Sequence, residues 1–140
     1  MDHDYFDTFI AVAEDCKVTT AKVPEPRGGK PTVATLQYEM LSEPFRWKQS
    51  DVLFEVWLAR QADLDPDSLA DDEKTQIREE FFAKGQPCLR ASPLTKTHGW
   101  GVIFDSEGRA ALAAMESDDY QAHLDDDAVT TLKAMRSKRA

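Results

Sequence analysis

The segment from Gly85 to Gly108 constrains the fold more than any other part of the sequence. Gly85 follows a long acidic run and is a natural left-handed residue with which to end a helix. Gly99–Asp105 predicts a strand, because aromatic and β-branched residues dominate it. Ser106-Glu107-Gly108 predicts a tight turn, and Arg109–Met115 predicts the strand that returns from it. A helix therefore leads through an irregular loop into an antiparallel hairpin.

The remaining sequence predicts helices between an N-terminal strand and this hairpin. The predicted elements are a strand over Tyr5–Ala13, an exposed loop over Val23–Pro31, a helix capped by Thr32 that runs to Ser42, a helix capped by Ser50 that runs through Leu58, a helix from Asp65 to Lys84, a short helix over Asp118–Leu124, and a strand or short helix over Val129–Met135. A buried strand is the competing interpretation of the apolar run that ends at Leu58. The pattern is typical of an α+β fold, in which a small antiparallel sheet has helices packed on one face. A length of 140 residues predicts one domain over residues 1–140.

The net charge of −9 disfavours binding to phosphate backbones and to anionic membranes. The terminal KAMRSKRA is basic, and we interpret it as a solvated tail that pairs with acidic segments of the same protein. The first residues show no secretory leader pattern, and no apolar run is long enough to cross a membrane. Two cysteines do not form a disulfide framework, so we expect free thiols in a cytoplasmic protein.

Several blocks of the chain resemble a known family. These blocks are FDTFIAVAEDC, DVLFEVWLAR, the stretch that contains CLRASPLTK, and the terminal KAMRSKRA. Together they are similar to a family of small uncharacterised bacterial and fungal proteins, over the span from Tyr5 to Ala140. That family is classed only as a domain of unknown function, so the resemblance implies a single domain and no particular activity.

A polar cluster surrounds Pro93 and provides the candidate ligand-binding residues, Arg90, Ser92, Thr95 and Lys96. An arginine can hold a carboxylate or phosphate through two parallel hydrogen bonds, and loop hydroxyls can add further donors. The glycine-rich phosphate loop G-x-x-x-x-G-K is absent from the sequence. The competing interpretation is that these side chains cap helix ends and bond the loop backbone.

Cys88, His98 and Trp100 are the remaining candidates. Cys88 lies near two cations that would lower the pKa of a thiol, and His98 could fold back as its general base. The competing interpretation of Cys88 is a small buried apolar residue. Trp100 could stack on a planar ligand, but strand alternation places it on one face with Val102 and Phe104, which favours a core position.

These observations lead to three hypotheses of different classes. The leading one is a binding module that uses the loop Gly85–His98 to hold a small anionic ligand or an acidic partner segment. The second is an enzyme that uses Cys88 as a nucleophile or redox thiol. The third and weakest is nucleic-acid binding through the basic C-terminal tail. The scattered histidines and cysteines match no metal-ligand spacing, so neither a metal site nor a cofactor is predicted.

Overall fold

The computed structural model describes residues 4–61 and 63–136 of the chain. These residues form five strands and five α-helices around a single sheet. In chain order the elements are β1 (Thr8–Ala11), α1 (Val33–Leu41), β2 (Trp47–Lys48), α2 (Gln49–Ala59), α3 (Asp71–Ala83), α4 (Pro93–Lys96), β3 (Trp100–Phe104), β4 (Arg109–Ala114), α5 (Asp118–Leu124) and β5 (Thr130–Lys133), with short 3-10 helices at Pro66–Ser68 and Leu89–Ala91. None of the helices within the described ranges is both long enough and apolar enough to cross a bilayer.

The sheet has the strand order β2-β4-β3-β1-β5. The predicted hairpin is present, with Trp100 opposite Ala114 and Phe104 opposite Ala110. The α+β class is therefore confirmed. The sheet is mixed rather than wholly antiparallel, because β5 pairs in parallel with β1, from Thr8 opposite Thr130 to Ala11 opposite Lys133.

The parallel strand also explains why helices lie on both faces of the sheet instead of the one face expected. The strands β4 and β5 run in the same direction but are separated by β3 and β1, so the chain between them has to cross a face. That connection contains α5, whose Tyr120 packs with Phe9 and Ile103. On the opposite face, the cluster that includes Ile10 and Val102 packs against α1, α2 and α4.

The long helix predicted from Asp65 to Lys84 is divided into two parts. The Asp65 carboxylate accepts a hydrogen bond from the Asp67 N–H at 3.1 Å, as a cap should, but only a 3-10 turn follows. Leu69 then adopts an extended conformation and packs against the Phe54, Leu58 and Phe81 cluster. Burial of this leucine outweighs the continuation of the helix, and α3 begins at Asp71.

The apolar run that ends at Leu58 forms a helix, which resolves the alternative of a buried strand. Its first turn begins two residues earlier than predicted. Lys48 is the capping position, and the Asp51 carboxylate accepts the Lys48 N–H at 3.1 Å. Ser50 lies inside the first turn, where its N–H donates to Asp4 at 2.8 Å.

Candidate functional site

Ser92 and Thr95 are buried and use their hydroxyl groups within the protein. The Ser92 hydroxyl donates to the side chain of Gln37 and accepts the Leu94 N–H at 3.1 Å, which caps α4. The Thr95 hydroxyl donates to the main-chain oxygen of Leu89 at 2.8 Å. Both hydroxyls make the helix-capping and loop-bonding contacts of the competing interpretation.

Arg90 and Lys96 have different surroundings. The Arg90 Nε donates to the Lys133 main-chain oxygen at 2.7 Å, and the Met135 N–H donates to the Arg90 oxygen at 2.8 Å. Arg90 therefore attaches the loop to the sheet edge at β5. Lys96 lies in the last turn of α4, where a cation interacts favourably with the helix dipole. Neither side chain lines the large cavity described below.

Cys88 and His98 are held by different neighbours. The Tyr5 hydroxyl donates to the Cys88 Sγ at 3.3 Å. Burial, together with this hydrogen bond, raises the pKa of Tyr5 to about 12, so the phenol remains protonated and cannot serve Cys88 as a base. The His98 Nδ1 lies 2.9 Å from the Thr97 hydroxyl and 3.1 Å from the Pro93 oxygen. Within the described residues, no hydrogen bond joins Cys88 to a histidine.

Trp100 is a partly buried core residue and not an open stacking surface. Its indole N–H donates to the Lys22 oxygen at 2.8 Å, and its ring lies 5.4 Å from the ring of Tyr38. The flanking glycine Gly101 makes room for the protein's own side chains, because a Cβ there would stand 2.8 Å from the Phe9 ring. The glycines beside Trp100 therefore serve internal packing.

The basic C-terminal segment pairs with an acidic residue of the same protein, as the sequence predicts. The Lys133 ammonium lies 2.6 Å from one oxygen of Glu14, and the Arg136 guanidinium contacts the other oxygen. These two cations lower the pKa of Glu14 to about 2. The last part of the tail, with Lys138 and Arg139, lies outside the described residues.

A cavity of about 670 Å³ lies beside the C-terminal end of the predicted binding loop. It is open to solvent and is lined by eight residues of the segment from Pro24 to Ala34, by Arg60, and by Pro93, Thr97 and His98. This volume is within the range of small-molecule sites. The predicted loop therefore borders a cavity, although the residues that do so are not the cations predicted from the sequence.

A two-residue hairpin turn places two cations on the wall of this cavity. Gly28 and Gly29 have φ values of +60° and +76°. Residues other than glycine rarely adopt such positive values. The Arg27 N–H donates to the Lys30 oxygen at 2.9 Å, and the Lys30 N–H donates to the Arg27 oxygen at 3.0 Å. The two residues therefore stand directly opposite each other across the turn, and both line the cavity.

A third cation, Arg60, reaches the same cavity from the C-terminal end of α2. All three side chains are exposed, and none belongs to an ion pair between described residues, although the exposed carboxylate of Glu25 also lines the cavity. Like charges directly opposite each other destabilise a strand pair. The Arg27 and Lys30 pair is thus an unfavourable arrangement that a bound anion would relieve.

The hairpin is attached to the protein at both of its ends. The Lys22 N–H donates to the His98 oxygen at 2.8 Å before the hairpin begins. After it, Thr32 and Thr35 form reciprocal side-chain hydrogen bonds with each other's N–H groups at the start of α1. The first turn of this helix also borders the cavity, and the first N–H groups of a helix lack helical acceptors. The cavity wall therefore combines the cations with residues of the first turn of α1.

The whole sequence, residues 1–140, matches the model of one protein family. The chain belongs to DUF6157, a family of unknown function. This result confirms the resemblance to a family of unknown function that the sequence blocks indicate. No curated protein and no solved structure is significantly similar to this DUF6157 chain.

No metal-binding cluster is found in the described part of this DUF6157 chain. No group of three or more histidine, cysteine, aspartate or glutamate side chains there is placed to hold a metal ion. The chemistry that the cavity offers is therefore hydrogen bonding and charge attraction from guanidinium, ammonium and imidazole groups. Such groups recognise carboxylates and phosphates.

Proposed function

We propose that the protein is a binding module for a small anionic ligand, and that the ligand occupies the cavity beside the hairpin turn of Arg27 and Lys30. The observation that carries this proposal is the convergence of three cations without carboxylate partners on one cavity of ligand size. Outside the cavity, Lys74 and Lys133 pair with carboxylates. Exposed Lys17 and Lys84 belong to no ion pair between described residues, so the distinguishing feature of the cavity is that three such cations line it together. The cavity therefore concentrates positive charge in a protein whose net charge is −9.

The proposed ligand class is the one predicted from the sequence, but the residues proposed to bind it are different. The loop Gly85–His98 contributes Thr97 and His98 to the cavity wall, whereas the cations come from the hairpin and from α2. Binding is favoured over catalysis by Cys88 because the only hydrogen bond of that thiol to a described side chain comes from a protonated tyrosine. Nucleic-acid binding by the tail is disfavoured because Lys133 and Arg136 contact Glu14. The free state of both cysteines supports a cytoplasmic location.

Calorimetric titration with inorganic phosphate and with citrate tests the proposal. A charge-assisted hydrogen bond contributes about 1.5–3 kcal/mol, so Arg27→Gln or Arg60→Gln should weaken anion binding about tenfold to a hundredfold. Arg109→Gln is the matched control, because Arg109 is an exposed arginine at the start of β4 and does not line the cavity. Raising the salt concentration should also weaken binding.

Two results would contradict the proposal. The first is an affinity that Arg27→Gln, Arg60→Gln and Arg109→Gln lower equally, which would indicate non-specific attraction. The second is an affinity that Lys96→Gln lowers while Arg27→Gln does not. That second result would place the ligand on the loop Gly85–His98, as the sequence alone predicts.

A further inference from the structure

A second cavity, of about 420 Å³, lies next to the proposed anion site. Pro24 and Pro31 line both cavities. Arg27 and Lys30 line only the first cavity, whereas Gly29 and residues of α1 line the second. The hairpin is therefore the partition between two adjoining cavities, and one ligand that passes its edge can occupy both.

The second cavity has a different chemistry from the first. Its wall is formed mostly by flat or apolar groups, which include Val23, Pro26 and the ring of Tyr38. Val23 is 59% exposed and adds apolar surface to this wall. Flat apolar surfaces of this kind suit a planar ring better than a solvated charge.

One charged group, the carboxylate of Glu39, lines the second cavity. Glu39 is exposed and belongs to no ion pair between residues of the described ranges. A carboxylate repels an anion and accepts hydrogen bonds from N–H groups. The two cavities are thus complementary to different ends of one molecule, since the first attracts negative charge and the second accepts amino protons.

We infer that the ligand is a phosphate monoester that carries an amino-substituted aromatic ring, the class to which adenosine monophosphate belongs. The phosphate lies among Arg27, Lys30 and Arg60, and the ring enters the second cavity with its amino group toward Glu39. This inference rests on the proposed function, because it uses the same cationic cavity for the anionic end. It adds the identity of the organic end and the residue that selects it.

Three probes of increasing complexity test the inference by calorimetric titration. Ribose 5-phosphate has no base, purine riboside 5′-monophosphate has a base without the amino group, and adenosine monophosphate has both. We expect adenosine monophosphate to bind at least tenfold more tightly than ribose 5-phosphate and severalfold more tightly than the purine riboside. In Glu39→Ala the preference for the amino group should disappear, while the affinity for ribose 5-phosphate should not fall. Glu80→Ala, at an exposed position of α3, is the matched control and should retain the preference.

The outcomes separate this inference from the proposed function. Equal affinities for all three probes, each lowered by Arg27→Gln, would overturn the ring subsite and leave the anion site standing. A preference for the amino group that survives in Glu39→Ala would overturn the role of Glu39. If none of the three probes binds, the inference fails; the proposed function fails with it only if inorganic phosphate and citrate do not bind either.

Discussion

Phe81 is the residue on which the attachment of α3 depends, and its truncation provides the sharpest test of the packing. It is the one buried residue of this helix and is 6% exposed. Its ring lies 5.7 Å from that of Phe54 and 5.0 Å from that of Trp57, both on α2. Truncation of a buried phenylalanine to alanine costs about 3–5 kcal/mol. We therefore expect Phe81→Ala to release α3 from α2.

The ion pairs between these helices are too weak to compensate. Lys74 pairs with Glu55 at 2.8 Å and Arg78 pairs with Asp51 at 3.1 Å, but all four side chains are about one-third exposed. Exposed ion pairs of this kind contribute about 0–1 kcal/mol each. A helix as short as α3 is marginal in water on its own, so it should unwind once it is released.

Native-state hydrogen exchange measures this release directly. In Phe81→Ala the amides of α3 should exchange at least a hundredfold faster, because 1.4 kcal/mol corresponds to a factor of ten. The amides of β1 and β3 should keep their protection. Phe82→Ala is the matched control on the same helix, since Phe82 is only half-buried, and its effect should be much smaller. Equal acceleration in the strands, or equal effects of the two variants, would refute this account of how α3 is held.

Three further predictions concern the core and two titratable sites. Gly101→Ala should destabilise the protein by about 1–2 kcal/mol in urea unfolding, because overpacking against the Phe9 ring outweighs the gain from replacing a strand glycine. The carboxyl of Glu14 should titrate near pH 2 by NMR. Its ion pairs therefore stabilise the fold above the ordinary carboxyl range, and this contribution is lost as the pH falls toward 2. Lys133→Gln should raise the pKa of Glu14. Cys88 should react slowly with iodoacetamide in the native protein, because its Sγ is half-buried and accepts a hydrogen bond.

Each of these predictions has a contradicting result. A variant with alanine at position 101 as stable as the wild type would mean that the rings move apart at little cost. A titration of Glu14 that Lys133→Gln leaves unchanged would mean that the observed contacts do not set its pKa. Fast alkylation of Cys88 in the native protein would favour the enzyme hypothesis, above all if the alkylation rate rises at a lower pH than it does for an ordinary thiol.

Local chemistry predicted most of the elements. Thr32 caps α1 as expected because its hydroxyl is one turn from the N–H groups that it serves. Gly108 has a φ of +84° in the hairpin turn, as a glycine after Ser106-Glu107 suggests. Strand alternation placed Trp100 with Val102 in one cluster. In each case the deciding interactions join residues that are close in sequence.

Interactions between distant residues account for what the sequence did not predict. The parallel pairing of β5 with β1 joins residues more than 120 positions apart, and no local pattern encodes strand direction. Arg27 and Arg60, which line one cavity, are also 33 positions apart, beyond the reach of any local pattern. One signal did exist, because Gly28-Gly29 between two cations is typical of a two-residue hairpin turn. Composition alone predicts only an exposed loop over Val23–Pro31 and does not single out its two cations.

The position of β5 has a consequence for the chain during its synthesis. The strand β1 emerges early, and its edge toward β5 stays open until Thr130–Lys133 leave the ribosome. Until then, the unpaired N–H and C=O groups of β1, flanked by the apolar side chains of Phe9 and Ile10, can pair with the strands of other chains. Premature termination before Thr130 should therefore produce aggregates rather than a smaller folded protein.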